Sequence, residues 1–232
     1  MRRFWTRAEV ASSPSGFSIL LDGRPVRLPE GGGPLHVTSA PLAAAIAEEW
    51  QAAGDEVAYA DLPLTRLAGT AQARVRPRWA ANVAALAAYG ATALLCYRAE
   101  APAELVERQA RAWQPWLDWA ALTLDAPLRV TAGVMPVTQP ESALTALSVA
   151  LQRQTAEALT ALVVLVPLLG SLVLGLAVAD QALLAEDAVA LATLDERYQA
   201  ELWGEDPEAV ARQQNIRAES LLAGRFLALA RG

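Results

Sequence analysis

A chain of 232 residues is long enough for one large domain or two smaller ones, and with 54 % hydrophobic and 19 % charged residues it is not a disordered polymer. It holds one histidine, one cysteine and no lysine, which puts a zinc cluster, a disulfide, a phosphate-loop lysine and a Schiff base out of reach, so no metal or cofactor is expected. The net charge of −6 is uneven, +1 over residues 1–116 and −7 over residues 117–232; the second half should repel nucleic acid and suit a basic partner surface.

The start, MRRFWTRAEV, carries cations with no apolar run behind them, which is not the pattern of a secretory signal. Phe17 to Leu21, then Asp22-Gly23, then Arg24 to Leu28 reads as a β-hairpin, because Asp-Gly supplies both positive-φ positions of a type I′ turn. Pro14, Gly16, Pro29 and the glycine run at 31–33 bound it, and a third short strand is expected at Leu35 to Thr38. Ser39 as N-cap, with Pro41 in the first turn, opens a helix to about Ala53 whose Leu42, Ile46 and Trp50 share one face. Residues 1–68 are therefore expected to form a small α+β domain, rich in strand.

From Leu64 onward the periodicity is helical, and residues 69–232 are expected to form a larger all-α domain. Arg66, Arg74, Arg76 and Arg78 make a basic cluster, read as a solvated face or as partners for the acidic C-terminal half, with a partner or anion contact as the alternative. A helix is expected over Ala81 to Ala93. Cys96 then lies among Leu94, Leu95 and Tyr97 in a short extended piece and reads as a small core residue rather than a reactive thiol. Pro102 opens a helix to about Leu124. Trp113 and Trp116 fall on its apolar stripe and Trp119 at the edge, while Glu104 with Arg108 and Glu107 with Arg111 are spaced as i,i+4 pairs. Leu128 to Val137 reads as a short hairpin, and Pro140 starts a helix through about Gln152.

Ala158 to Ala179 holds 22 residues without a charge, long enough to span a bilayer. Pro167 and Gly170 interrupt it, however, and its flanks are acidic (Glu157, Asp180, Glu186, Asp187), so no cationic cluster orients an inserted helix. The segment reads as the buried central helix, or kinked helix pair, of the helical domain, with membrane anchoring as the alternative. A further helix is expected from Asp180, with Leu184, Leu191, Leu194, Tyr198 and Leu202 on one face. Asp195 shares that face and needs a partner, for which an arginine of a neighbouring helix is expected.

Residues 195–208, DERYQAELWGEDPE, are the most acidic stretch in the chain. Gly204 ends one helix, and Asp206 with Pro207 reads as N-cap and first turn of the last, which runs to about Ala230. Trp203 projects among carboxylates and is a candidate protein contact. There is no GxxxxGK[ST], GxGxxG or GxSxG signature; an enzyme would have to work with Asp195, Glu196 and Glu201, or with His36, whose place on a strand is read as structural.

Five blocks in this order, FSILLDGRPVRL (17–28), LPLTRL (62–67), LLCYRAEAPAE (94–104), GSLVLGLAV (170–178) and LDERYQAELWGED (194–206), resemble the assembly chaperone family of the ATP synthase catalytic head. The resemblance implies a small N-terminal α+β domain and a larger helical C-terminal domain. It implies a binding protein, not an enzyme, that holds the newly made ATP synthase α subunit, covers the surface that β will occupy and prevents aggregation, without nucleotide or cofactor. It also implies functional carboxylates in the C-terminal helical region, here Glu201 and Asp206 first, with Glu196 and Glu205 as neighbours; Trp203 joins them from the reading above. The bacterial members are expected in the cytoplasm and the eukaryotic ones in the mitochondrial matrix.

Overall fold

The computed structural model describes residues 1–29, 33–133 and 135–232; Gly31, Gly32 and Val134, which figure in the two expected hairpins, lie outside the described residues. By internal contacts the chain divides into two units, residues 1–79 with 155–161 and 225–232, and residues 80–154 with 162–224.

In the first unit four strands, β1 (Ala8–Ser13), β2 (Gly16–Leu21), β3 (Arg24–Pro25) and β4 (His36–Val37), form one sheet. β2 is its centre. β1 runs antiparallel to it from Ala8 opposite Leu21 to Ser13 opposite Gly16. β3 pairs with Leu20 and Leu21, and β4 with Phe17 and Ser18. The Asp22-Gly23 turn has the two positive φ values expected of it, 47° and 81°. The Asp22 carboxylate also accepts from the backbone N–H groups of Arg7 and Thr6, which holds it below the usual carboxylate range. The sequence analysis did not anticipate β1: AEVASS is short and largely solvated, and it is a strand because β2 supplies a ladder.

Ser39 accepts from Leu42 N at 3.3 Å and caps α1 (Ala40–Ala52), which buries Leu42, Ile46 and Trp50. α2 (Pro63–Thr70) has no side-chain cap at its own Leu62. The Glu49 carboxylate of α1 replaces it, accepting from Leu64 N at 2.7 Å and from Thr65 N and Oγ1 at 2.9 and 2.7 Å. Thr65 Oγ1 in turn accepts the indole N–H of Trp50 at 3.0 Å, and Trp50 packs edge-on against Trp5, their ring centroids 5.1 Å apart. One acidic side chain thus caps a helix and anchors the aromatic centre of the unit.

The helical path continues from α2 through a π turn at 71–75 and a 3₁₀ turn at Pro77 into α3 (Trp79–Ala87). By length and composition the stretch Pro63–Cys96 is apolar enough to cross a membrane, yet four arginines within 13 residues make that costly. Arg76 of the basic cluster lies 3.8 Å from the buried carboxylate of Glu157.

In the second unit α4 (Ala103–Leu124) ends at Asp125 in the left-handed region. It packs against α5 (Glu141–Gln152) and against two later helices. Glu104 and Arg108 pair at 2.7 Å as spaced, whereas Glu107 and Arg111 form no ion pair among the described residues. The expected hairpin at 128–137 is corrected: of the two short strands β5 (Tyr97–Arg98) and β6 (Thr131–Ala132), the second runs parallel to the first, a long-range pairing that local turn signals cannot reveal.

The uncharged segment divides as its glycine predicts. α6 (Ala156–Leu169) and α7 (Leu172–Ala179) flank Gly170, whose φ is +59°, and Ser171 caps α7 by accepting from Leu174 N. Pro167 sits within α6 without ending it, and is the one exposed residue between Ala158 and Ala179; every residue of α7 is buried. The segment is the apolar core around which the helices pack. A β-carbon on Gly175 would fall 2.7 Å from Val166 Cγ2 and 3.3 Å from Leu162 Cδ2, so α6 and α7 approach through a residue with no side chain.

The single helix expected after Asp180 is two, α8 (Ala185–Ala192) and α9 (Leu194–Trp203), separated at Thr193 (φ −101°, ψ 17°). Thr193 Oγ1 donates back to Val189 O, a local bond that competes with helix continuation. The break resets the periodicity, leaving Leu184 and Leu202 72 % and 55 % exposed instead of buried on a shared face. α10 (Pro207–Arg231) completes the chain, and the architecture is the expected α+β one, a strand-bearing N-terminal region followed by a mostly helical remainder.

Gly175→Ala is expected to lower stability by about 1–3 kcal/mol through overpacking, although alanine in a helix ordinarily gains about 1 kcal/mol over glycine. Chemical denaturation of the purified variant measures it; a neutral or stabilising change would show that the α6–α7 approach has slack.

Candidate partner-binding site

The acidic stretch forms a corner between two helices. α9 stops at Gly204, whose φ of +88° and ψ of 166° turn the chain out of the helix. Two residues later the Asp206 carboxylate faces the first turn of α10, 3.2 Å from Ala209 N and, more weakly, 3.4 Å from Glu208 N. Asp206 therefore caps the last helix and is exposed at once.

All five residues singled out in the sequence meet at this corner. Glu196, Glu201, Trp203, Glu205 and Asp206 line one cleft of about 500 Å³ between α9 and the start of α10. Within it they divide by what they already hold. Glu196 accepts from Arg212 Nη2 at 3.1 Å and Gln213 Nε2 at 3.3 Å, tying α9 to α10. Glu201 accepts from Arg108 Nη1 at 2.6 Å, and the other arm of Arg108 holds Glu104. The same guanidinium lies 5.1 Å from the ring centre of the buried Tyr198. These hydrogen bonds, from Glu201 first and Glu104 second, raise the Arg108 pKa further. Trp203 is 78 % exposed, and Glu205 has neither hydrogen bond nor ion pair among the described residues. The groups facing outward without an internal salt bridge are thus Trp203, Glu205 and Asp206, beside the exposed Leu202.

Asp195 does not join them. Its carboxylate accepts from Gln109 Nε2 at 2.8 Å, and the buried Gln109 amide oxygen accepts from Ala99 N at 2.7 Å. The expected arginine partner is corrected to a buried amide, which satisfies the carboxylate without importing a second charge. The three carboxylates an enzyme would need are each engaged by groups of other helices: Asp195 by Gln109, Glu196 by Arg212 and Gln213, and Glu201 by Arg108. Among the described residues no group of three histidine, cysteine or acidic side chains could hold a metal.

A second cleft, of about 540 Å³, lies on the other side of α9 and shares Arg197 and Glu201 with the first. Trp116 lines it, half-exposed and edge-on to Trp119 at 6.4 Å. The sequence analysis placed Trp116 in the core with Trp113. Only Trp113 is fully buried, its indole N–H donating to Leu191 O at 2.9 Å. Position on the apolar stripe alone cannot show how much of it the neighbouring helices cover, and Trp116 shares its cleft with Leu191 and Leu194 on either side of the break at Thr193.

With this geometry in hand, comparison with known proteins gives one answer. A family model described as ATP12 chaperone protein matches residues 2–121. This chain belongs to the ATP12 chaperone family. The solved structures agree over its whole length. It is 45 % identical to Atp12 from Paracoccus denitrificans, with 99 % of this chain and 98 % of that one covered and a TM-score of 0.95. An aspartate-to-lysine mutant of the same Paracoccus protein, Atp12p, matches at 44 % identity with the same coverage and TM-score. The Atu1473 protein of Agrobacterium tumefaciens matches at 38 % identity and a TM-score of 0.90, over 98 % of this chain and 85 % of that one.

Two variants at Asp206 separate its structural and surface roles. Asp206→Asn keeps a capping oxygen and should melt with the parent chain, whereas Asp206→Ala should lose about 1 kcal/mol, read by thermal or denaturant unfolding. Cys96 offers a second check. It is fully buried, and burial pushes its thiol up to about 11, so a thiol-specific chromophore at pH 8 should find no reactive group in the native protein and one in denaturant. Rapid labelling of native protein would place Cys96 at the surface.

Proposed function

We propose that this chain is an assembly chaperone of the ATP synthase catalytic head, one that binds the unassembled α subunit, covers its β-facing surface and releases it when β competes. The observation that carries the reading is the corner between α9 and α10. It presents a large aromatic ring, 78 % exposed, beside carboxylates that the protein leaves in water. Tryptophan is among the residues that most often anchor a protein contact. Solvated carboxylates choose a basic surface and speed encounter while adding little to affinity.

The five cleft residues share the work unequally in this proposal. Trp203, Glu205 and Asp206 touch the client, and Glu196 and Glu201 hold α9 at the angle that presents them. The reading requires neither nucleotide nor cofactor, it involves no catalytic cycle and no membrane insertion, and it places the protein in the cytoplasm of a bacterial cell.

The test is light scattering of isolated α subunit from the same organism, diluted from denaturant with and without an equal concentration of this chain, with β added afterwards. Suppressed scattering, converted to αβ assembly by β, is the expected result. Trp203→Ser combined with Glu205→Lys should remove the suppression while leaving circular dichroism and melting unchanged. Scattering as strong with the folded parent chain as without it would refute the chaperone assignment.

A further inference from the structure

An apolar groove in the first unit plays no part in the function proposed above. It is an open groove of about 610 Å³ along residues 24–29. Its floor is apolar and buried: Val26, Leu28, Val57 and Leu62, with Trp50 behind them. Phe4 and Tyr59 stand on its rim, 62 % and 40 % exposed. Arg24 and Arg27 stand there too, and among the described residues no carboxylate lines the groove.

The backbone along one wall adds a second feature. Val26 donates to Ile19 O and accepts from Leu35 N, and Leu28 donates to Gly33 O. Both residues direct their hydrogen bonds into the sheet. The intervening Arg27 directs its own outward, as alternation along an extended strand requires, and its N–H and C=O have no partner among the described residues. Just beyond β3, where Arg27 bridges Pro34, the chain therefore presents an open main-chain position beside an apolar trough, a combination that folded proteins ordinarily cover.

We propose that this groove takes an extended segment of the client polypeptide, apolar at alternate positions and carrying at least one carboxylate. The segment adds as a strand through the Arg27 main chain, with its apolar side chains over Val26 and Leu28 and its carboxylate against Arg24 and Arg27. Charge decides the chemistry of the occupant: the charged groups that the described residues bring to the rim are Arg24 and Arg27, whereas the corner between α9 and α10 is acidic and suits the opposite charge. The proposal rests on the reading of the client as the unassembled α subunit, and it gives the N-terminal unit a contact of its own.

Fluorescence anisotropy tests it, using the full-length chain and overlapping peptides that span the α subunit, each of about 15 residues, longer than one strand needs. At least one acidic, alternately apolar peptide should bind. The double variant Arg24→Glu, Arg27→Glu should weaken it about tenfold or more, as should Phe4→Asp, and both variants should melt with the parent because these side chains are exposed. Absence of any bound peptide, or binding indifferent to the rim variants, overturns the proposal. Capture of intact α subunit separates the two readings. Loss in the corner variants with undiminished capture by the rim variants overturns the groove alone, whereas a parent chain that captures no α subunit overturns the chaperone reading beneath it. Sedimentation supplies the remaining alternative: concentration-dependent self-association abolished by the rim variants would make a second copy the occupant and refute the client assignment.

Discussion

Twenty-two consecutive uncharged residues cannot be left in water, and the second unit, which holds residues 162–179 of them, is arranged to bury its share. Fully burying side chains of the valine and leucine class stabilises a fold by roughly 1.5–3 kcal/mol each, and α7 alone buries all eight of its residues. The break at Gly170 and Ser171 makes this feasible. It converts one helix of near-membrane length into two short ones, with the Ser171 hydroxyl satisfying an N–H that the new helix start would otherwise leave bare. Gly175 then lets the two approach closely. Once this apolar body exists, the amphipathic helices have a surface to cover, α4 among them.

How far the fold could be read from the chain depended on the range of the interaction that fixes each element. Asp22-Gly23, Ser39, Gly170, Gly204 and Asp206 act within a few residues, through φ or through a cap, and each does in the structure what its type and position imply. The elements that escaped are fixed from a distance. β1 exists because β2 lies beside it, β6 pairs with a strand on the far side of α4, and the cap of α2 comes from Glu49 on another helix. Thr193 is an instructive middle case. Its effect is local, yet a threonine inside a helical pattern is common enough that only the φ and ψ it adopts reveal the break. The exposure of Leu202, which lies beyond that break, was invisible for the same reason.

The candidate site shows the same division. That the acidic residues and Trp203 share a corner follows from Gly204 and Asp206, and it was legible. Which of the carboxylates are spoken for was not, because Arg108, Arg212 and Gln109 approach from other helices. A carboxylate-rich stretch read from sequence is an undivided reserve of negative charge. Folding spends part of it internally, on holding α9 against α4 and α10, and leaves Glu205 and Asp206 facing solvent with Trp203.

This division bears on how a client can be held and still be given up. An ion pair between solvated groups is worth about 0–1 kcal/mol, so two or three carboxylates cannot make a lasting complex, and they lose what strength they have as salt rises. Lasting contact needs buried apolar area, and at the corner only Trp203 and the neighbouring Leu202 offer it. A surface of that kind forms quickly and dissolves readily when a larger, better-packed interface competes for the same patch. Assembly by exchange, as proposed above, needs that balance: a chaperone's hold on its client must be weaker than the subunit contact that replaces it, and a corner with such sparse apolar anchoring would contribute a weak hold.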